Sequence, residues 1–544
     1  NWDLIANNMP VFFIQDGVKF PDLVHAIKPE PDHEMPQASA AHDNFWDFIS
    51  LMPESMHMIM WVLSDRALPR SYAAMEGFGV HTFRFINAQG TPRFVKFHWK
   101  PTRAVASLTW DETQKIAGKD PDFNRRDLWE MIERGDYPEF ELGVQVVEEA
   151  DEHRFDFDLL DPTKIIPEEL VPVRPLGKMV LNRNPDNFFA ETEQVAFHPG
   201  HVVPGIDFTN DPLLQGRLFS YLDTQLLRLG GPNFHEIPIN RPLAPVHNNQ
   251  RDGFMRQTIN TGKAPYAPNA RAGGCPMLTP EGMGGYAHHM QRVEGHKIRA
   301  RSESFKDHYT QAAMFYRSLS EPERRHLIKA AQFELGKVSD PEIRSRVLAH
   351  FARIDAGLVR ATADGVGVPV PAGEPVGEVA TSPALSMESE TNRAKRSARG
   401  MKIAAVVSEG FDCSVLDAIK EAAEAQGAVV ETVGTKLGVV RSGRDKPEEV
   451  KKTFSTTHSV LYDAVCMPGG DRAVATLKPS QPAADFFQNA YAHAKAVCLA
   501  GAALDATARW TPDLEDSAKP RGPGMASVHG VVMQREGDAA DLAG

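Results

Sequence analysis

Arg217 and Tyr221 are the residues whose types and spacing point most directly to chemistry. Read as helix, residues 216–225 place the Arg217 guanidinium and the Tyr221 phenol on one face, one turn apart. A free phenol is protonated at neutral pH, so an anionic tyrosine ligand needs a fixed cation beside it, which arginine supplies permanently. A phenolate held in this way suits ferric iron, including haem iron. The alternative is a packed Arg–Tyr pair without chemistry, and the surrounding sequence decides between the two.

Three further stretches give that context. Residues 1–14 read NWDLIANNMPVFFI, residues 197–201 read FHPGH, and residues 235–242 read HEIPINRP. Together, and in this order, these motifs resemble the haem catalases. The long chain, Gln225 after the tyrosine and an appended second module make it similar to the large-subunit branch. The resemblance runs from Asn1 to about Leu358 and resumes, more weakly, from about Met401.

The resemblance implies haem-dependent dismutation of hydrogen peroxide to water and oxygen, as protection against oxidative stress. It also implies a homotetramer with deeply buried haem, in which Tyr221 binds the iron and Arg217 keeps the phenol anionic. Asn7 would hold peroxide, because an amide forms hydrogen bonds without titrating. The other implied contacts with the porphyrin are Phe12 in the pocket wall, Phe20 against the porphyrin face, Val80, His81 and Arg228, the last at a propionate.

Each of these residues also has an ordinary structural interpretation. Asn7 precedes Pro10 and fits a turn. The phenylalanines and His81 fit a packed core, and Arg228 fits an exposed helix face. The sequence alone leaves these alternatives open.

His198 belongs to a motif shared with those large-subunit catalases in which a histidine becomes covalently joined to the proximal tyrosine. In them the haem is also oxidised from the b type to the d type. A link between His198 and Tyr221, and conversion of haem b to haem d, are therefore hypotheses. The chain starts at Asn1 inside a motif and without Met, so we expect it to be a piece of a longer protein. The resemblance places the distal histidine before residue 1.

The composition of the chain argues against nucleic acids and membranes as partners. The net charge is -13, which argues against nucleic acid as a partner because phosphate binding needs concentrated Lys and Arg. No apolar run is long enough for a transmembrane helix, so we expect no membrane partner. The cysteines occur singly, which makes a zinc site improbable and favours a reducing compartment, the cytoplasm; they are Cys275, Cys413, Cys466 and Cys498.

Periodicity indicates a strand-rich first part. A hairpin is predicted from Phe78–Asn87 and Arg93–Lys100, and a second strand pair from Phe140–Glu148 and Arg154–Leu160. A short helix is predicted at Asp127–Arg134. Amphipathic helices are predicted within Glu321–Val368.

After residue 400 the pattern changes to alternating strands and helices, which favours a parallel, doubly wound sheet. The predicted strands and helices are Lys402–Val407, Ser414–Gln426, Ala428–Val433, Ala464–Gly470, Ala483–Lys495 and Ala496–Leu499. This part resembles the flavodoxin-like fold of class I glutamine amidotransferases. Leu499, and not Cys498, occupies the position of their nucleophile, so we predict a non-catalytic module with a structural or chaperone-like role.

The predicted fold class is therefore α+β: an antiparallel β-barrel catalase core with a wrapping segment and C-terminal helices, followed by a flavodoxin-like α/β domain. The predicted ranges are 1–160 for part of the barrel, 161–320 for the wrapping segment with the proximal haem helix, 321–367 for the helices, 368–400 for a linker and 401–544 for the α/β domain.

Two rival functions remain open at this stage. An allene oxide synthase resembles catalase in its barrel and tyrosine ligand but acts on fatty-acid hydroperoxides. A binding or chaperone protein would keep haem without turnover and would act through its C-terminal module. Oxygen evolution from peroxide separates both from a catalase.

Overall fold

The computed structural model describes residues 2–35, 43–244, 250–266, 268–271, 286, 288–296, 298, 300–512, 514, 519–520, 522 and 524–535. The chain forms two compact units. The first comprises Asn1–Ser107 and Tyr137–Ala394, and the second comprises Leu108–Asp136 and Lys395–Gly544. Residues 108–136 thus pack with the second unit, although they fall within the predicted range 1–160. The predicted domain ranges stay a prediction.

The helices, numbered along the chain, are α1 Phe20–Ala26, α2 Asp43–Leu51, α3 Met56–Leu63, α4 Trp110–Lys119, α5 Phe123–Glu133, α6 Pro212–Leu229, α7 Thr310–Ser318, α8 Glu321–Gly336, α9 Pro341–Ile354, α10 Ala356–Val366, α11 Glu390–Arg393, α12 Cys413–Ala425, α13 Asp471–Leu477, α14 Gln481–Ala492 and α15 Thr507–Trp510. The strands are β1 Gly77–Phe78, β2 Phe83–Ile86, β3 Pro92–Pro101, β4 Glu139–Glu148, β5 Arg174–Val180, β6 Ile206–Asp207, β7 Lys402–Val406, β8 Val429–Gly434, β9 Gly438–Arg441, β10 Pro447–Val450, β11 Lys452–Thr453, β12 Ala464–Met467, β13 Ala496–Ala500, β14 Met525–Val528 and β15 Val531–Gln534.

The sheet of the first unit is antiparallel, with strand order β5-β4-β3-β2-β6 and with β1 paired to β3. The predicted hairpin is confirmed in part as β2 and β3, which pair from Phe83 opposite Val95 to Ile86 opposite Pro92. Residues 79–82, which were predicted within the first strand, form a turn instead, closed by a hydrogen bond from His81 N to the Gly79 carbonyl. The strand predicted at Phe140–Glu148 is confirmed as β4. One face of β3 buries Val95 and Phe97 in an apolar cluster beneath α6.

The strand predicted at Arg154–Leu160 is wrong, because this segment forms turns and bends. Its alternating aromatic residues, Phe155 and Phe157, instead stack on each other beside a small apolar cluster. β5 lies at an edge of the sheet. It contains Pro175 and Gly177, which usually end strands, so the sequence did not predict it. An edge strand tolerates proline, since one side of its backbone needs no ladder partner.

Helices supply the largest core of the first unit. The predicted amphipathic helices are confirmed as α8, α9 and α10, and they pack with α2, α3 and α7 around fully buried Trp61, Phe315 and Phe351. Trp61 stacks on Phe315 with ring centroids 4.2 Å apart. Among the residues the structure describes, no helix is long and apolar enough to cross a bilayer.

The segment predicted as a linker, residues 368–400, contains α11. It is attached to the first unit by Arg317, which donates to the carbonyls of Val376 and Gly377 in this segment.

The second unit is built on a sheet with strand order β11-β8-β7-β12-β13-β15-β14. All neighbours are parallel except β14 and β15. The six elements predicted after residue 400 are confirmed as β7, α12, β8, β12, α14 and β13. The hairpin of β9 and β10 and the strands β11, β14 and β15 were not predicted. Helices α4 and α5 belong to this unit, where Leu108, Ile116 and Phe123 pack with Val460.

His57 shows how the helical core treats a polar group. Its ring is buried on α3, with Nδ1 against the Thr163 carbonyl at 2.8 Å and Nε2 accepting from Trp61 Nε1 at 3.1 Å. These partners fit the neutral ring. Burial is the largest cause that lowers the pKa of His57, to about 3 from 6.5.

This burial predicts an acid-dependent loss of stability. Between pH 6.5 and about 3 the unfolded chain binds a proton at His57 that the folded chain does not, so stability falls as the pH falls through this window. At pH 4.5 this effect lowers the free energy of unfolding by about 3 kcal/mol relative to neutral pH. We expect His57→Gln, which preserves a donor and an acceptor, to flatten the dependence of the unfolding free energy on pH. The exposed His153→Gln is the control, and equal pH slopes for both variants would contradict the prediction.

Candidate active site

Helix α6 carries the predicted ligand pair. Asp211 caps its N-terminus by accepting from the backbone N–H groups of Leu213 and Leu214, Pro212 follows at the first helical position, and Gly230 ends the helix in a left-handed conformation. Arg217 Nη2 donates to Tyr221 Oη at 2.8 Å. The Arg217 guanidinium carbon also lies 4.9 Å from the centroid of the Tyr221 ring. The predicted spacing therefore produces direct contact.

A cavity of about 480 Å³ lies beside this pair. Its walls come from three parts of the first unit: residues 5–21, the turn at residues 80–81, and α6. The lining residues are mostly apolar, apart from the polar groups on α6, His81 and one amide. They are Ile5, Ala6, Asn7, Phe12, Gly17, Phe20, Pro21, Val80, His81, Leu213, Gly216, Arg217, Phe219, Ser220, Tyr221 and Asp223. The structure thus brings together seven of the predicted site residues: Asn7, Phe12, Phe20, Val80, His81, Arg217 and Tyr221.

Two glycines, Gly17 and Gly216, allow the segment at residues 5–21 to approach helix α6 closely. A Cβ atom added to Gly216 would lie 3.0 Å from Gly17 Cα, and one added to Gly17 would lie 3.0 Å from Gly216 Cα. Both neighbours are backbone atoms, so neither can move aside as a side chain could. The glycine pair therefore sets the distance between α6 and the segment that carries Phe12 and Phe20.

Asn7 stands on the wall formed by residues 5–21. The Asn7 N–H donates to the Phe78 carbonyl at 2.9 Å, and the Phe78 N–H donates to the Asn7 carbonyl at 2.7 Å. The side-chain Oδ1 of Asn7 accepts from Met9 N at 3.3 Å. The side-chain oxygen is thus used in a local turn, as the structural interpretation of Asn7 expected. Within the part of the chain that the structure describes, no acceptor pairs with Nδ2. The Asn7 amide can therefore donate into the cavity while its oxygen holds the turn.

His81 is buried and joined to the start of α6. Its Nδ1 lies 2.5 Å from Asp211 Oδ2, and the other carboxylate oxygen of Asp211 caps the helix. Burial lowers the pKa of His81, and the Asp211 charge opposes this effect. Asp211 was not predicted as a site residue, although Asp followed by Pro before a helix is a recognisable capping signal. It connects the cavity wall to the helix that bears Tyr221.

His198 lies next to the tyrosine. The ring centroids of His198 and Tyr221 are 6.4 Å apart, and the rings meet edge to face. His198 Nδ1 accepts from Gly200 N at 2.8 Å, which assigns the proton to Nε2, placed 3.2 Å from the Leu218 carbonyl oxygen. Half-burial and the neighbouring His201 lower the pKa of His198 and favour this neutral ring. The described geometry places the two rings side by side.

Arg228 takes a different position from the other predicted residues. Its guanidinium donates to the carbonyls of Glu193 and Val195 and to Gln225 Oε1, at 2.5 to 3.2 Å. It does not line the described cavity. The propionate contact stays a prediction. In this structure the hydrogen bonds of Arg228 join α6 to the loop before His198.

The motif at residues 235–242 does structural work in the described part of the chain. Glu236 Oε2 accepts from the backbone of Gln257 and Thr258, and Asn240 bonds to the backbone of Ala196 and Gln194. These contacts join the motif to residues 194–196 before it and 257–258 after it. A recognisable motif therefore need not mark a residue that touches substrate.

Cys498, in the second unit, is unsuited to nucleophilic chemistry. Cys498 on β13 lies opposite Cys466 on β12, and burial raises the pKa of the Cys498 thiol to about 12. A thiol that stays protonated is a poor nucleophile. Leu499 is fully buried at the position where the resemblance would place a nucleophile. Cys275 lies outside the described residues.

Comparison with known protein families gives matches along nearly the whole chain. A family model described as catalase matches residues 1–273. One described as catalase-related immune-responsive matches residues 302–366, and one described as a C-terminal domain found in long catalases matches residues 399–539. The domain matches occur in the order that the sequence motifs predicted.

Individual relatives are similar over the same extent. Catalase-2 of Bacillus subtilis is 56% identical over 506 residues, which cover 93% of this chain and 73% of the relative. Catalase HPII of Mycobacterium avium is 57% identical over 507 residues, covering 93% and 71%. Catalase-1 of Neurospora crassa is 47% identical over 509 residues, covering 94% and 69%.

The close approach of the two glycines can be tested by a single methyl group. Gly216→Ala adds a helix-favouring residue, but its Cβ must push against the Gly17 backbone, and overpacking of this kind costs about 1 to 3 kcal/mol. We expect a net loss of stability in thermal unfolding. Gly336→Ala, at the end of α8 with open space around its Cβ, is the matched control and should be neutral or stabilising. A Gly216→Ala variant as stable as the control would show that the contact is not tight.

Proposed function

The chain belongs to the catalase family, which decomposes hydrogen peroxide to water and oxygen, and we propose that it does so at haem held in the cavity beside Tyr221. Haem iron supplies the two-electron redox change that this reaction requires. The cavity supports the proposal, because its walls are mostly apolar and its polar groups include a phenol held by a guanidinium on α6 and the amide of Asn7. The allene oxide synthase-like and chaperone-like alternatives find no support in the relatives, which are named catalases.

Tyr221 is the proposed iron ligand. Arg217 Nη2 donates to the phenol oxygen at 2.8 Å, so the oxygen has an acceptor role and a positive charge beside it. Both favour loss of the phenol proton when a cation takes its place. Arg217 would therefore favour the anionic form of this oxygen as a ligand of iron.

Asn7, Phe12 and Phe20 are the proposed groups on the opposite wall. The Asn7 Nδ2 donates to a peroxide oxygen and orients it, since an amide keeps the same hydrogens at every working pH. Phe12 and Phe20 limit the water that enters and present flat apolar surface to a porphyrin. Val80 and His81 would complete the contact from the turn at residues 80–81. Arg228 remains the proposed partner of a propionate, which would require its guanidinium to leave backbone carbonyls.

A link between His198 and Tyr221 is the proposed result of turnover. The centroid distance of 6.4 Å and the half-buried, neutral His198 ring support it. Formation of the link removes one hydrogen atom from each residue, and hydrogen peroxide, the substrate, is the oxidant that takes them up as water. We propose haem b as the group first bound, and its conversion to haem d as the accompanying oxidation. Separate His198 and Tyr221 peptides in a peptic digest of the turned-over enzyme would reject the link.

Assembly and the second unit complete the proposal. Large apolar side chains stand exposed in the irregular segment after α6, among them Leu243, Phe254 and Ile259, and this supports a homotetramer in which they are covered. The parallel sheet of the second unit supports a flavodoxin-like fold class, and the protonated Cys498 supports a non-catalytic role. The singly placed cysteines support a cytoplasmic location.

The ligand assignment makes a direct prediction. In the natural protein, Tyr221→Phe removes the oxygen that binds iron, so haem content should fall to a small fraction and oxygen release should fall at least about 100-fold. Arg217→Leu should retain part of the haem but lose most of the activity, because the phenol oxygen then loses the hydrogen bond and the positive charge beside it. Both are measured as Soret absorbance per protein and as oxygen evolution from peroxide. Tyr137→Phe is the control, and normal haem content and oxygen release in Tyr221→Phe would overturn the assignment.

A further inference from the structure

A strained three-residue turn forms part of the cavity wall. His81 N donates to the Gly79 carbonyl at 2.7 Å, which closes a tight turn centred on Val80. Val80 has φ +64°, in the left-handed region. A β-branched residue there is an outlier, because its branched side chain crowds the backbone. The turn is therefore not one that the local sequence favours.

Such strain persists only where surrounding contacts determine the conformation. On one side, Gly79 N donates to the Phe97 carbonyl at 2.9 Å and so attaches the turn to β3. On the other side, the His81 ring binds Asp211 at the start of α6. Between these two attachments stands the Val80 carbonyl, and among the described residues one side chain binds it.

That side chain is Lys96, which projects from β3 and is 7% exposed. Its Nζ donates to the Val80 carbonyl oxygen at 2.7 Å. Burying an ammonium is costly, and here burial lowers the pKa of Lys96 to about 8, an effect that Asp211 and Asp161 oppose. An apolar side chain would fill the same space without this cost. In the described part of the chain, the backbone group that this ammonium binds therefore lies on the strained turn.

We propose that Lys96 is a positioning residue for catalysis: by binding the Val80 carbonyl it fixes the strained turn that holds Val80 and His81 against the cofactor cavity. The proposal rests on the proposed function of that cavity. It assigns Lys96 no contact with substrate. Its effect passes through the backbone of Val80.

A double-mutant cycle tests the proposal, because glycine adopts positive φ without strain. Lys96→Met, Val80→Gly and their combination are made in the natural protein with its cofactor. Lys164→Met is the matched control, since Lys164 is equally buried and binds Asp161 but does not contact the turn. Hydrogen exchange of peptides spanning residues 77–85 and the turnover number per haem are measured for each variant.

We expect Lys96→Met to raise exchange in the turn about tenfold and to lower turnover while Val80 is present, and to change both less than about twofold in the Val80→Gly background. Lys164→Met should give equal effects in both backgrounds. Equal effects of Lys96→Met in both backgrounds, or unchanged exchange, would overturn the proposal.

Lys96→Gln, which retains an N–H donor, is the second variant, and it stands in if Lys96→Met does not fold. It should show the same dependence on Val80 with a smaller effect. Hydrogen exchange is read independently of the cofactor. A coupled cycle in protein without haem would therefore refute the proposed function alone, whereas an uncoupled cycle in active protein would refute the role of Lys96 alone.

Discussion

The arrangement of the first unit depends on one constraint: a guanidinium must stay beside the phenol of Tyr221. A tyrosine is a poor ligand while it holds its proton, and a cation fixed at hydrogen-bond distance favours the anion. One helical turn between Arg217 and Tyr221 provides the 2.8 Å contact. Everything else that positions the pair acts on helix α6, through the Asp211 cap, the Gly17 and Gly216 approach, and Arg228 at its far end.

The surroundings of that helix are costly to build. A neutral, buried His81, a strained Val80 and a buried Lys96 are each unfavourable when considered alone. They are tolerated because they satisfy one another, through Asp211 and the Val80 carbonyl, and because a large helical core stabilises the same unit. These contacts hold the cavity wall in one arrangement, and preorganisation of this kind is what catalysis requires.

How much could be predicted from the sequence follows from the range of each interaction. The Arg217 and Tyr221 contact is local to a helix, so residue spacing predicted it, and the motifs identified the residues that the cavity gathers. The pairing of His81 with Asp211 and of Lys96 with Val80 joins separate parts of the chain, and no local pattern reveals it. The strand predicted at Arg154–Leu160 failed because alternating aromatic residues also suit a stacked turn. Strand β5 was missed because an edge position tolerates the proline and glycine that usually end strands. The contact of Arg228 with a propionate stays a prediction, and the backbone carbonyls that its guanidinium binds could not be predicted from the sequence because they lie more than thirty residues away.

The central claim is that the Tyr221 oxygen binds iron as an anion. Resonance Raman spectroscopy of the ferric natural protein, prepared with ring-deuterated tyrosine and with ordinary tyrosine, tests it most directly. The account predicts enhanced phenolate ring vibrations that shift on deuteration and that are absent from Tyr221→Phe. A ferric haem spectrum without phenolate vibrations, or one unaffected by the labelled ring, would contradict it.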